Sequence, residues 1–155
     1  GRRGYALVNQ LPVHIAERET KILGRKLDIK AKDLHIVEED RGISPANVVW
    51  VELESPDVTE IGSHPGEKGI PAEKIANDVV KEAESYLHAD VPVGEHLADQ
   101  LLLPLALGQG GSFRTLKPTL HTLTNRDVIQ LFLDVNIEIA PQPNGVWRID
   151  IEKRG

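Results

Sequence analysis

The first ninety residues alternate between two spacings of apolar side chains. Four short runs alternate apolar and polar residues and predict strands, at residues 4–9, 34–39, 47–54 and 57–62. Two longer segments, 11–27 and 71–88, repeat apolar residues every three or four positions and carry a proline in the first turn, which predicts helices. The order strand, helix, three strands, helix is that of a small α/β unit whose two helices are available to cover one sheet.

The pattern restarts after VPVG, residues 91–94. We predict a helix at residues 94–103 that stops near Pro104, then a glycine-rich connection at 108–112 and a strand at 113–116. A helix at about 125–132 and a hairpin at 135–152, which turns at Asn144-Gly145, complete the prediction. The predicted domains are therefore residues 1–92 and 93–155. Because the second is too short to bury much surface alone, we expect it to pack onto further strands.

Charge and composition narrow the function classes. The net charge is −6, which argues against a general binder of phosphate backbones. Residues 1–32 nevertheless hold eight Lys or Arg against three Asp or Glu, so any basic surface is local. Cysteine is absent, which excludes disulfides and thiolate chemistry and favours a reducing, cytoplasmic setting. No apolar run is long enough to span a membrane, and the lack of any methionine predicts a piece of a longer protein.

The segment GEHLADQ, residues 94–100, is the first candidate for chemistry. On a helix, His96, Asp99 and Gln100 stand at positions i, i+3 and i+4 and share one polar face. Such a stripe on an otherwise apolar helix is typical of a ligand site, but a solvated helix face would show the same residues. The glycine-rich GQGGS that follows lacks the ending of a phosphate-binding P-loop.

The segment TLHTLTN, residues 119–125, is the second candidate. His121 precedes the predicted helix, which we expect Thr124 or Asn125 to cap. A neutral imidazole near the free N–H groups of a helix start can attack a bound phosphorus, whereas a structural, hydrogen-bonded histidine is the alternative. The other histidines have no partner at metal-ligand spacing, so no metal site is assigned.

Two longer stretches, GEHLADQLLLPLALGQGGSF and TLHTLTN, together resemble the C-terminal part of the RNA 3'-terminal phosphate cyclase family. The upstream RGYALVNQLPVHIAERE and GIPAEKIANDVVKEAESYL resemble the insert domain of that family. The resemblance implies an α/β (α+β) fold, with a thioredoxin-like insert domain followed by the last α/β unit of a catalytic domain built from repeated units.

The resemblance also implies an activity. Members use ATP, with Mg or Mn, to convert an RNA 3'-phosphate to a 2',3'-cyclic phosphate through a covalent histidine-AMP intermediate and an adenylated RNA end. His121 matches the nucleophile, and His96, Asp99 and Gln100 match the adenylate pocket, although some members carry tyrosine in place of His96. The N-terminal half of the family is absent here, so we expect the isolated chain to be inactive unless that half is supplied in the same polypeptide or as a second chain.

Two other function classes compete with the enzyme. A non-catalytic relative acting as a binding factor in ribosome assembly would share the fold, and a bare interaction module would keep only remnants of the motifs. The non-catalytic relatives lose the nucleophilic histidine. The presence of His121 therefore favours catalysis.

Overall fold

The computed structural model describes all 155 residues, which form two compact units, residues 1–85 and 86–155. The first unit holds a four-stranded sheet and the second a three-stranded sheet, and the chain has four α-helices. The predicted α+β fold class is thus confirmed. The domain boundary after residue 92 stays a prediction. None of the helices combines the length and apolarity needed to cross a membrane.

Residues 1–89 contain all six predicted elements in the predicted order, and the last of them extends past the end of the first unit. They are β1 (Arg2–Asn9), α1 (His14–Leu27), β2 (Leu34–Glu39), β3 (Ala46–Glu54), β4 (Thr59–Pro65) and α2 (Ala72–Ala89). The sheet order is β2-β1-β3-β4, with β1 parallel to β2 and antiparallel to β3, and with β4 antiparallel to β3. The parallel pair requires a crossover, which α1 provides.

Both helices of the first unit cover the same face of the sheet. Ala6 pairs with Val49 across β1 and β3, and both are fully buried. Val51, on the same face, pairs with Gly62, and a Cβ atom at Gly62 would contact Glu82 of α2. The alternating apolar residues of the strands therefore bury one face against the helices and leave the other face open.

A carboxyl group lies inside this helix-covered core. Glu19 of α1 has no exposed surface, and its Oε2 accepts a hydrogen bond of 2.9 Å from Nδ2 of Asn47 on β3. Its Oε1 has no partner. Burial raises the pKa of Glu19 from its ordinary 4.5 to about 7, because desolvation penalises the charged form more than the hydrogen bond from Asn47 favours it.

The buried carboxyl predicts a pH-dependent stability of the first unit. Between about pH 4.5 and 7 the folded state keeps a proton that the unfolded state has lost, so stability falls as pH rises through that window. We expect Glu19→Gln to remove this loss and to raise the free energy of unfolding at pH 8 by on the order of 2–3 kcal/mol, with little change at pH 4.5. Urea unfolding at both pH values, followed by Trp50 emission in a Trp147→Phe background, measures this free energy.

The matched control is Glu17→Gln, an exposed position on the same helix. That change should leave the stability difference between the two pH values unaltered. Equal pH dependence in Glu19→Gln and in the unchanged chain would contradict the assignment of a neutral buried carboxyl.

The second unit is a three-stranded antiparallel sheet with two helices. Its elements are α3 (Glu95–Leu107), β5 (Gly111–Thr115), α4 (Leu120–Phe132), β6 (Val135–Pro141) and β7 (Trp147–Lys153), and the sheet order is β5-β7-β6. Leu102 and Ala106 of α3 pack in one buried cluster with Ile149 and Ile151 of β7. The predicted hairpin turn is confirmed, since Asn144 and Gly145 have φ of 62° and 76°.

One predicted helix end is wrong. α3 does not stop near Pro104 but continues to Leu107. Pro104 has no N–H, so the helix lacks one backbone hydrogen bond there. Leu102 and Ala106, on either side of it, are nevertheless fully buried. The helix hydrogen bonds also resume after the proline, since the N–H of Gly108 donates to the carbonyl of Pro104 at 2.9 Å. Burial of this apolar stripe outweighs the one lost backbone hydrogen bond.

One predicted helix start is also wrong. α4 begins at Leu120, not near Asn125, and Thr119 caps it in place of Thr124 or Asn125, which lie inside the helix. The residue types of this threonine-rich segment favour a strand. Only Thr119 is extended, however, and its hydroxyl accepts a hydrogen bond from a backbone N–H of the first turn, so the helix starts directly after it. His121 therefore lies within the first turn of the helix.

Candidate functional site

α3 presents the polar residues of the first motif. The helix is anchored by Ala98 and Leu102, which are buried in the core of the second unit. His96 and Gln100 are exposed, whereas Asp99, between them on the helix surface, is half-buried. The i, i+3, i+4 spacing thus forms one polar face as predicted, with the carboxylate set closest to the protein interior.

The second motif forms the first turn of α4. The Thr119 hydroxyl accepts a hydrogen bond from the N–H of Thr122 at 3.3 Å, and the two threonine hydroxyls lie 3.2 Å apart. Thr122 is fully buried, which holds this turn against the unit. The first backbone N–H groups of a helix have no intrahelical acceptor and lie at the positive end of its dipole. His121, exposed in this turn, therefore stands beside groups that favour an anion.

A hydrogen bond between α3 and α4 brings the two motifs together. Nδ2 of Asn125 donates to Oδ1 of Asp99 at 3.1 Å and lies 3.3 Å from the Asp99 carbonyl oxygen. Asn125 is four residues after His121, so the two share one face of α4, about 5–6 Å apart at Cβ. The two segments are separated by eighteen residues of sequence, 101–118, and meet at this contact.

The remaining hydrogen-bonding capacity at this site belongs to three side chains. His121 and Gln100 make no hydrogen bond or ion pair, and Asp99 keeps Oδ2 available. Nε2 of His96 lies 3.8 Å from Oε1 of the adjacent Glu95. An imidazole, an amide and a carboxylate oxygen are therefore open to a ligand that carries phosphate and hydroxyl groups.

Asn125 is a residue of this candidate site that the sequence pattern does not indicate. The sequence predicts it only as a possible helix cap, because the predicted start of α4 is five residues too late. With the helix starting at Leu120, the i, i+4 spacing of His121 and Asn125 would have placed both on one face. Its pairing with Asp99 depends on the packing of α3 against α4, which no sequence pattern indicates.

The fold and this site define an α+β protein whose second unit carries an exposed histidine at a helix start, beside a helix with one polar face. Residues 10–139 match the family model of RNA 3'-terminal phosphate cyclase. The chain is also 39% identical, over 148 residues, to the RNA 3'-terminal phosphate cyclase of Ectopseudomonas mendocina (strain ymp). The chain therefore belongs to the RNA 3'-terminal phosphate cyclase family.

The match is unequal in its coverage of the two proteins. It includes 96% of this chain but 43% of the relative, so the chain spans less than half the length of that protein.

Proposed function

We propose that this chain is the nucleophile-bearing portion of an ATP-dependent RNA 3'-terminal phosphate cyclase. The observation that carries the proposal is the hydrogen bond between Asn125 and Asp99, because it joins the His121 turn to the GEHLADQ helix. A reactive histidine and a set of nucleotide-binding side chains must lie on one surface for the reaction, and this contact puts the two motifs on neighbouring helices.

The proposed reaction uses His121 as a covalent nucleophile. A neutral imidazole nitrogen attacks the α-phosphorus of ATP, the bond to the bridging oxygen breaks, and pyrophosphate leaves. An oxygen of the RNA 3'-phosphate then attacks the same phosphorus and displaces the imidazole. The neighbouring 2'-hydroxyl finally loses its proton and attacks the 3'-phosphorus, so that AMP leaves and a 2',3'-cyclic phosphate remains.

The arrangement of the side chains supports this chemistry. His121 is exposed and makes no hydrogen bond, so its ring nitrogens are open for attack. The free N–H groups of the first turn of α4 lie where negative charge builds up on the phosphate. We place the adenylate against His96, Asp99 and Gln100, and Mg or Mn on the triphosphate oxygens of ATP.

Asp99 provides a test that separates binding from folding. Asp99→Asn keeps an oxygen for the hydrogen bond from Asn125 but removes the charge, whereas Asp99→Ala removes both. With the remaining portion of the longer relative supplied as a second polypeptide, we expect Asp99→Ala to lower transfer of AMP to the protein by at least tenfold and to leave the chain folded, because the side chain is half-buried and replaceable. Transfer of label from α-labelled ATP measures the first effect, and thermal unfolding measures the second.

The comparison of the two variants decides the role of the residue. If Asp99→Asn restores full transfer, the carboxylate acts only through its contact with Asn125. If Asp99→Ala unfolds the second unit, the polar face of α3 is structural and the placement of the adenylate there is wrong.

We also propose that the reaction needs more polypeptide. Large apolar side chains of α3 and α4 stand exposed, and Leu120, Leu131 and Phe132 are 78%, 81% and 83% accessible. We call these three residues the apolar surface of α4. Exposed apolar groups of this size mark an interface. We propose that the segment present in longer relatives covers this surface and supplies further groups for the triphosphate and the RNA end.

A further inference from the structure

Three rings stack on one another across the sheet of the first unit. Tyr5 of β1 lies between His35 of β2 and Trp50 of β3, with centroids 4.8 Å apart on each side and interplanar angles of 27° and 4°. The strand register causes this arrangement, since Tyr5 is directly opposite His35 on one side and Trp50 on the other. We call these three residues the aromatic stack.

The aromatic stack lies on the face that the helices leave open. Its neighbours along β1 and β3 are only half-buried, including Leu7 and Val48. The connection from β2 to β3 is a loop, residues 40–45, so no helix from this connection crosses the face. Tyr5 and Trp50 are the only Tyr, Trp or Phe residues in residues 1–85, and neither contributes to the buried core. Large rings held on a surface, rather than in the core, are typical of a binding surface.

The stack is open at one end. β2 is an edge strand of the sheet, so the outer side of the His35 ring has no neighbouring strand, and His35 is exposed. A further planar ring could extend the column there. Single-stranded nucleic acids bind in this way, because every base has a flat face that stacks on an aromatic side chain.

A local group of cations lies at the same edge. Lys30 and Lys32 come just before β2 and make no ion pair. Arg2 joins them around a small cavity of about 330 Å³, which Asp28 and Asp33 also line. These three cations belong to the basic first 32 residues of an otherwise acidic chain. Lys30 and Lys32 are therefore available for the phosphates of a strand whose base stacks on His35.

We propose that this open face binds single-stranded RNA, with an unpaired base stacked on His35 and backbone phosphates at Lys30 and Lys32. The inference rests on the proposed function, since the RNA is the substrate of that reaction, but it concerns a surface in the other unit of the chain. Such a surface would hold RNA through its backbone and base planes, and so without a preference for one sequence.

Fluorescence anisotropy of a labelled RNA tests the proposal. The probe is a ten-residue oligouridylate with a 5' fluorophore and a 3'-hydroxyl, which lacks the 3'-phosphate that the proposed reaction requires. We expect saturable binding. Two phosphate contacts predict that raising the salt from 50 to 200 mM weakens binding about sevenfold.

Variants of the exposed residues locate the binding surface. We expect His35→Ala and Lys30→Glu each to weaken binding at least fivefold, and His35→Phe to restore it because a phenyl ring also stacks. Lys68→Glu is the matched control, since Lys68 is exposed, unpaired and in the same unit but distant in sequence, and it should bind as the unchanged chain does. Thermal unfolding confirms that each variant is folded.

The proposal is overturned if the oligouridylate does not bind, or if it binds equally well to His35→Ala and Lys30→Glu. Equal binding of a double-stranded RNA of the same length would also overturn it, because paired bases cannot stack on a side chain. If the unchanged chain binds oligouridylate but gains no AMP, the proposed cyclase reaction is contradicted and the RNA-binding surface is not. If the unchanged chain gains AMP but does not bind oligouridylate, the RNA-binding surface is contradicted and the reaction is not.

Discussion

His121→Ala is expected to abolish transfer of AMP from ATP to the protein. The test uses the chain together with the remaining portion of the Ectopseudomonas mendocina relative, supplied as a second polypeptide, and ATP labelled at the α-phosphate. The unchanged chain should gain a label that is lost in acid and stable in alkali, as a phosphorus–nitrogen bond requires. Removing the proposed nucleophile should lower this transfer by at least about 10³-fold.

Two further variants make the His121 result specific. His121 is exposed and makes no hydrogen bond, so neither His121→Ala nor His121→Asn should alter thermal stability. His14→Ala removes another exposed histidine, in the first unit, and should retain the label. A label that persists in His121→Ala would show that another residue carries AMP. No label on the unchanged chain, with its partner polypeptide bound, would favour the alternative of a non-catalytic binding factor.

The isolated chain is expected to form no cyclic phosphate on a 3'-phosphorylated oligoribonucleotide, and addition of the complementary portion should restore the reaction. The reason is the apolar surface of α4, which is exposed in this chain and which we propose the additional segment covers. Phe132→Asp places a charge within that contact. We expect it to weaken association of the two polypeptides at least tenfold, as measured by calorimetry and by the concentration of partner needed for cyclisation.

Ile43→Asp is the matched control for this prediction. Ile43 is fully exposed in the first unit, outside the apolar surface of α4, so the same change in chemistry should leave association unaltered. Robust cyclisation by the isolated chain would refute the need for further polypeptide. Equal effects of Phe132→Asp and Ile43→Asp would show that the apolar surface of α4 is not the contact.

Much of the first unit could be predicted from its apolar pattern, because its strands and helices bury one face each. The alternation in β1 and β3 reflects burial beneath α1 and α2, and burial of alternate residues is the strongest local signal that a strand carries. The second unit was predicted less well at its helix ends. A proline such as Pro104 can end a helix or lie within one, and packing of α3 decided for the second. A threonine such as Thr119 can lie in a strand or cap a helix, and its hydroxyl caps α4.

The candidate site shows the same division. His96, Asp99, Gln100 and His121 could be selected by residue type and by resemblance to a family, and the spacing on α3 placed three of them on one face. The role of Asn125 could not be found in this way. Its partner lies 26 residues away, and a hydrogen bond over that separation depends on how two helices pack.

The sequence by itself determined the α+β class, the order of the elements in the first unit, and the two motifs that identify the family. Those features depend on local periodicity and on short runs of residues. The tertiary structure alone decided that Asp99 meets Asn125, that Glu19 is a buried carboxyl, and that His35, Tyr5 and Trp50 form one stack. The physical reason is that each of these depends on strand register or helix packing, which arises when the whole unit buries its apolar surface.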